Sequence, residues 1–282
     1  VFIAAADCTG HGVPGAMVSV VCSNALNRSI LEYGILDPGK ILDKATDLVI
    51  ERFSKSDEEV KDGMDIGLSS VEYLPNGNAK VKFAGAHNHL WIVTKRKDIG
   101  VDANLNEFEE TDYVLHELKA TKQPVGLYFN RQPFKTWEVE LEKGERFYMY
   151  SDGFADQFGG DRKKKMMYSN FKSLLLDHCH LGMEEQRQRL GEEFDLWKGE
   201  LEQVDDVCVI GVKVEPQDDF NLSKRELEIL EMLERGFSSQ QIAYETFISV
   251  HTVNTHRRNL MNKMGAINAN DAVRIGREVG LI

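Results

Sequence analysis

From Ala4 to Met17 the chain reads AAADCTGHGVPGAM. The apolar run VFIAAA ends in Asp7, and Cys8, Gly10, His11, Gly12 and Gly15 crowd in behind it. This is the pattern of a strand whose tip presents a carboxylate, followed by a turn of nearly bare backbone. A helix is then expected from about Gly15 to Tyr33, closed by Gly34. Glycine at such a tip lets the main chain approach an ion or a phosphate that a side chain would hold off. The plain alternative is an ordinary turn, since Asp and Gly are also the usual turn residues.

Outward from that stretch, DPGKILDKATDLVIERF offers a second helix, with Asp37 as cap and Pro38 at its first position. After Gly63 the apolar period becomes that of strands: MDIGLSSVEYL, a PNGN turn, AKVKFAGA and HLWIVTK. A polar excursion covers Lys95 to Asp112. Further strands are expected at YVLHELKA, TWEVELE, RFYMYSD and DVCVIGVKV, with helices near Ser169–His178 and Met183–Glu200 before the last of them. Helices grouped apart from runs of antiparallel strands predict an α+β layered fold over 1–214. The EPQDD stretch reads as a linker over 215–220, leaving a second unit at 221–282.

Across 282 residues, a hydrophobic content of 42% and an aromatic content of 9% suit a globular chain and exclude a disordered one. No apolar run reaches the ~20 residues a membrane helix needs, so no membrane contact is expected of this segment. Cys8, Cys22, Cys179 and Cys208 are widely spaced, which fits a reducing cytosol and a cytoplasmic protein, not a disulfide framework. The chain starts at Val1 inside a strand-like run and reads as a fragment of a longer protein. The DHCH cluster at Asp177–His180 reads as a helix end, not a metal site, because adjacent helical residues point in different directions. His87 and His89 belong to a turn before a strand. The net charge of -12 is uneven: from Asn221 onward 8 Lys+Arg nearly balance 7 Asp+Glu, so the acidity lies in the first unit. That asymmetry argues for two units with different partners.

Two further acidic sites occupy strand ends like that of Asp7. They are Asp152 in YMYSDGF and the Asp205–Asp206 pair in QVDDVCVIG. Carboxylates that converge from neighbouring strand ends repel unless a cation neutralises them, and an all-oxygen donor set favours Mg²⁺ or Mn²⁺.

In this order, DCTGHGVPGAM, GMDIGL, AGAHNHLWIV, KQPVGL, YMYSDGFADQFGG and QVDDVCVIGV resemble the PPM-type serine/threonine phosphatases, in particular their bacterial SpoIIE/RsbU branch. The resemblance implies a two-sheet β-sandwich flanked by helices and a centre holding two divalent cations, Mn²⁺ or Mg²⁺. It implies Asp7, Asp152, Asp205 and its neighbour Asp206 as metal-site residues, with Cys8 contributing its main-chain carbonyl. A phosphoserine or phosphothreonine protein, of the anti-sigma-antagonist kind, is the implied substrate, and His11 is the candidate acid for the leaving seryl oxygen. The family carries one more acidic ligand upstream, in a Gly-Gly-Asp-like stretch that would pair with VFIAAAD, and often an N-terminal sensory region that can anchor the protein. The basic run Arg162–Lys165 leaves two readings open, a substrate-steering patch or a solvated loop.

Beyond the linker, Ser223 with Glu226 forms a capping box, Leu227, Leu230 and Leu233 make an apolar stripe, and Gly236 ends the helix. Ser238 and Ser239 open a second helix. A third, Val250 to Met264, carries Arg257, Arg258 and Lys263 and no acid, whereas the first carries four glutamates. Short helix, turn, longer helix is the helix-turn-helix plan. The stretches LSKRELEIL, IA, SVHTVNTH and AVRIGREVGLI resemble the LuxR/NarL-type DNA-binding domain. That resemblance implies double-stranded DNA as partner, Asn254, Thr255 and Arg258 as principal contacts, and Thr252, His256 and Lys263 as helix supports or phosphate contacts. It also implies a homodimer through a fourth helix, Asn270 to Val279. Two other readings stand beside this one: a transcription factor whose phosphatase-like domain is a non-catalytic sensor, and a scaffold of two interaction domains.

Overall fold

The computed structural model describes residues 1–54, 62–74, 76–96, 98–107, 111–215, 220–278 and 281–282. The chain divides into two compact units, Val1–Val214 and Glu215–Ile282. Pro75 of the expected PNGN turn, residues 216–219 of the expected linker and Val279 at the expected end of the fourth helix lie outside the described residues.

In the first unit the elements run β1 (Phe2–Cys8), α1 (Gly12–Leu31), α2 (Pro38–Phe53), β2 (Gly63–Tyr73), β3 (Ala79–Ala86), β4 (Leu90–Thr94), β5 (Asn104–Glu107) and β6 (Val114–Leu118). They continue with β7 (Val125–Gly126), β8 (Trp137–Leu141), β9 (Arg146–Tyr150), α3 (Gly153–Asp156), β10 (Phe158–Gly159), β11 (Lys164–Lys165), α4 (Met167–Asp177), α5 (Met183–Lys198) and β12 (Val209–Lys213). One antiparallel sheet has the order β1-β2-β3-β8, with β7 also on β2; the other has the order β12-β9-β4-β6-β5. Phe83, Leu90, Ile92, Phe147 and Met149 fill the space between the sheets. Ile41, Leu42 and Val49 of α2 and Val18 and Cys22 of α1 pack on Met64 and Ile66 of the first sheet. Phe171 and Leu175 of α4 and Leu190 and Phe194 of α5 cover Trp91 and Tyr148 of the second. The unit is therefore an α+β sandwich of two sheets between helical layers, each layer closed by side chains that recur at the helix or strand period.

Several boundaries differ from expectation for local reasons. Helix α1 starts at Gly12, three residues early, because Gly10 and Gly12 take φ values of +89° and +64° and complete the turn sooner. The polar excursion after Lys95 contains β5, an edge strand of polar residues with no apolar alternation to reveal it. The run Arg162–Lys165 is not a plain loop: Lys164 and Lys165 form β11, which pairs with β10 through Gly159↔Lys164. Asp37 does cap α2, its Oδ1 accepting from the Lys40 N–H at 3.0 Å.

The second unit holds α6 (Lys224–Glu234), α7 (Ser239–Glu245), α8 (Val250–Met264) and α9 (Ala269–Glu278). Both Ser223 and Ser238 form complete capping boxes, with Glu226 and Gln241 respectively. The stripe on α6 is shifted from the one expected: Ile229 and Leu230 are buried, Leu227 only half so. Ile229 meets Ile242 and Val253, while Leu230 meets Leu260, Met264 and Ala272. Gly265, at φ +62°, ends α8 in the left-handed conformation that glycine tolerates. Among the described residues no helix is long and apolar enough to cross a membrane.

Candidate metal centre and nucleic-acid interface

Pairing of β1 with β2 sets Asp7 opposite Asp65, and pairing of β12 with β9 brings the Asp205–Asp206 segment beside the end of β9. Asp152 follows β9 directly and Ser151 ties the two segments together. The Ser151 hydroxyl donates to the Asp206 carbonyl at 2.8 Å and accepts from the Cys208 N–H at 2.9 Å. Gly153 must be glycine there, because a Cβ would lie 3.0 Å from the Asp206 carbonyl carbon and against its oxygen. On the other side, a Cβ at Gly15 would come 2.6 Å from the Gly10 carbonyl oxygen, so the glycine turn closes tightly onto α1.

The result is convergence of Asp7, Asp152 and Asp205, each of which brings one carboxylate oxygen to within 4.8 Å of the others. An open cavity of about 1230 Å³ has Asp7, Cys8, His11, Asp65 and Asp205 in its wall, together with Ser151, the neighbour of Asp152. None of the three has a Lys, Arg or His partner among the described residues, and the Asp152 Oδ1 atom is buried with no hydrogen-bond partner at all. Burial, then the charges of Asp205, Asp152, Asp65 and Asp206, push the Asp7 carboxyl up to about 6. Burial and Asp205 raise Asp152 in the same way. Clustered anions that repel one another, two of them half-buried and one exposed, fit a divalent cation with oxygen ligands.

The remaining expected residues fall as follows. Asp206 lies outside the three-carboxylate cluster; its N–H donates to Asp205 Oδ1 at 2.7 Å, and its charge is the smallest of those that raise Asp7. Cys8 is half-buried, and a hydrogen bond from Cys22 lowers its thiol to about 7. His11 is the exposed N-cap residue of α1 and makes no side-chain cap bond. Asp65 was not singled out from the sequence, and His87 was read there only as part of a turn before a strand. Asp65 joins the acidic wall, and His87, at φ +57°, holds it through an Nδ1···Oδ1 contact of 2.8 Å. An acid inside a strand next to Gly63 was the available signal, but only the β1–β2 register aligns it with Asp7. His89 and the DHCH cluster stay outside the carboxylate group.

On α8, Val253, Leu260 and Met264 are buried, so the i+1, i+5 and i+6 positions after Val253 face outward. Asn254 and Arg258 are exposed, and Arg258 has no hydrogen-bond or ion-pair partner among the described residues. Thr255 Oγ1 donates to the His251 carbonyl at 3.1 Å, and Thr252 shares a 2.8 Å contact with the cap residue Ser249. His256 is half-buried. Lys263 is committed elsewhere: its Nζ contacts Glu226 Oε2 at 2.7 Å and the Asn221 carbonyl at 2.8 Å, which makes it a tie between α8 and α6.

Comparison with known proteins agrees with both halves. Residues 1–215 match the profile "Stage II sporulation protein E (SpoIIE)", and residues 220–275 match "Bacterial regulatory proteins, luxR family". Among solved structures, the SiaA-PP2C domain of Pseudomonas aeruginosa superposes with a TM-score of 0.61 and 26% identity over 75% of each chain. The PP2C phosphatase domain of SpoIIE from Bacillus subtilis does so at a TM-score of 0.51 and 18% identity, covering 76% of this chain and 54% of that one, a likeness of fold. The oxygen regulatory protein NreC of Staphylococcus aureus is 48% identical over 44 residues, 16% of this chain and 20% of that protein. The chain thus spans only a small part of the length of that relative. With the sandwich, the acidic cavity and the helix-turn-helix in place, the chain belongs to the SpoIIE family of PP2C-type phosphatase domains, joined to a C-terminal LuxR-family helix-turn-helix domain.

Proposed function

We propose that the chain is a metal-dependent phosphoprotein phosphatase of bacterial signalling that also binds DNA. The observation that carries the catalytic half is the convergence of Asp7, Asp152 and Asp205 within 4.8 Å, with Asp152 Oδ1 buried and unpartnered. In this reading Asp7, Asp152 and Asp205 hold two divalent cations, Mn²⁺ or Mg²⁺, with the Cys8 carbonyl as a further ligand and Asp206 as outer support. Such cations, when bound, make water nucleophilic near neutral pH and offset charge on phosphate oxygens. The chain supplies the rest. Backbone at Gly10 and Gly12 leaves room for the phosphoryl group. His11, on the cavity wall, gives a proton to the departing seryl or threonyl oxygen. Ser151 and Gly153 hold the Asp205–Asp206 segment against Asp152.

In the second unit, Asn254, Thr255 and Arg258 contact double-stranded DNA. Thr252, His256 and Lys263 brace the helix, and α9 pairs two copies. The substrate class is a phosphoserine or phosphothreonine protein in the cytoplasm. The test is phosphate release from phosphoserine peptides with and without Mn²⁺, together with the salt dependence of binding to duplex DNA. Mn²⁺-dependent release and a negative salt slope support both halves. Absence of either result removes that half.

A further inference from the structure

The β10–β11 hairpin rises beside the acidic cavity and is held there by buried contacts. Gln157, fully buried, roots it: Gln157 Oε1 accepts from the Val204 N–H at 3.3 Å, and Gln157 Nε2 donates to the Glu202 carbonyl at 3.0 Å. Gln203 and Val204 belong to the cavity wall. Trp197 clamps the hairpin as well. Its Nε1 donates to the Gln157 carbonyl at 3.0 Å, its carbonyl accepts from the Gly160 N–H at 2.8 Å, and a Cβ at Gly159 would strike that carbonyl. Lys165 turns back toward the site. Its Nζ lies 2.7 Å from an oxygen of Asp156, whose N–H donates to the Asp152 carbonyl at 2.9 Å.

Three further cations do not turn back. Arg162, Lys163 and Lys164 are exposed, and none has a hydrogen-bond or ion-pair partner among the described residues. Asp161 is the one acid in their run. Lys163 keeps φ +47° at the tip, where glycine would sit more easily. Like charges fixed side by side repel one another, and a counter-charge relieves them. Asp65, Asp205 and Asp206 border the cavity, so an acidic segment approaching it meets repulsion from the wall and attraction at this hairpin.

On the phosphatase reading above, we infer that the hairpin docks an acidic stretch of the phosphoprotein, beside the residue whose phosphate enters the cavity. One turn of α3 spans roughly 5–6 Å from Asp152 to Asp156, and two residues from Lys165 out to Lys163 add about 7 Å. An extended peptide advances about 3.3 Å per residue, which sets the acidic residues about three to five positions from the phosphoserine or phosphothreonine.

The experiment measures phosphate release by the full chain, at saturating Mn²⁺ and low salt, from phosphoserine peptides that differ only at those positions on either side. They carry glutamate, glutamine or lysine there. The unsubstituted protein is compared with a neutral variant (Arg162→Gln, Lys163→Gln and Lys164→Gln together) and a reversed one (Arg162→Glu, Lys163→Glu and Lys164→Glu). An exposed ion pair is worth roughly a factor of 1.5 to 5, so three should favour the glutamate peptide by about 10-fold on at least one side. The preference should lie in KM and not in kcat, and fade as salt is added. The neutral variant should lose it. The reversed variant should favour the lysine peptide by a similar factor, a gain that a misfolded protein cannot mimic. No glutamate preference in the unsubstituted protein, or one that survives in the neutral variant, would overturn the inference and leave the phosphatase reading standing. A neutral variant that keeps the peptide preference but loses affinity for duplex DNA would also overturn it, by assigning the hairpin to nucleic acid. No Mn²⁺-dependent release from any peptide would overturn the phosphatase reading, and the inference with it.

Discussion

Gly153→Ala is the substitution for which the structure gives the sharpest expectation. The added Cβ would stand 3.0 Å from the Asp206 carbonyl carbon and 3.4 Å from that of Asp205, all of it backbone with no side chain to swing away. Carbon atoms settle at about 3.5–4.0 Å, so the Asp205–Asp206 segment must retreat by roughly 0.5 Å. Metal–oxygen distances tolerate only about 0.2 Å, and Asp205 cannot then keep its place relative to Asp7 and Asp152. Divalent-cation affinity is expected to fall about 10- to 100-fold, as when support behind a ligand is removed. Strain costs about 1–3 kcal/mol of stability, which leaves a folded protein in a well-formed sandwich. The assay is Mn²⁺ titration by calorimetry, alongside a melting curve in chelator. A folded Gly153→Ala protein with unchanged Mn²⁺ affinity would refute the placement of Asp205 as a ligand held by the close approach at Gly153.

Other expectations follow from the same geometry. The Asp7 carboxyl is raised from 3.8 to about 6, so the native metal-free protein binds that proton more tightly than the unfolded chain does. In chelator, stability relative to Asp7→Asn should therefore fall as pH rises from about 4 to about 6 and level off above; Mn²⁺, which needs the carboxylate ionised, should reverse the slope. Melting temperatures across that range decide it, and a flat difference in chelator counts against the crowded site. Lys263→Met should destabilise the C-terminal unit by about 1–3 kcal/mol, because it strands Glu226, whose side chain is 4% exposed. The salt slope of DNA binding should not change; a shallower slope would make Lys263 a phosphate contact instead of a tie. Arg258→Ala should cost about 1–3 kcal/mol of DNA binding with no change in melting temperature, since Arg258 is exposed and has no bonding partner among the described residues.

Much of this was legible in the sequence, for reasons that differ by element. Capping at Asp37, Ser223 and Ser238 is a local interaction between residues three apart; the caps at Asp37 and Ser223 form where expected, and Ser238, read with Ser239 as opening a helix, is the cap of α7. The long strands announced themselves by β-branched and aromatic residues bounded by turns. The three carboxylates Asp7, Asp152 and Asp205 were visible because each lies at an expected strand boundary, with glycines or a second acid close by in sequence. What escaped depends on pairing partners far along the chain. Asp65 sits within β2, and nothing local distinguishes it from a solvent-facing strand acid until the register sets it opposite Asp7. The short strands β7, β10 and β11 have two residues each, too few for any periodicity. Lys263 sits at the end of a helix free of acids, where the sequence leaves a helix support and a phosphate contact both open; packing of α8 on α6 delivers it to Glu226. The hydrogen bonds from Arg257 to Ser239 and from Ser239 to Asn254 likewise exist only once α7 packs on α8.

The central claim is that the converging carboxylates hold the cations a phosphatase needs. Hydrolysis of p-nitrophenyl phosphate as a function of Mn²⁺ concentration, for the unsubstituted chain and Asp152→Asn, tests it most directly. Saturable, Mn²⁺-dependent turnover in the first and its loss in the second, with both proteins folded, is the result expected. Turnover that persists in Asp152→Asn, or that ignores Mn²⁺ and Mg²⁺ alike, would contradict it.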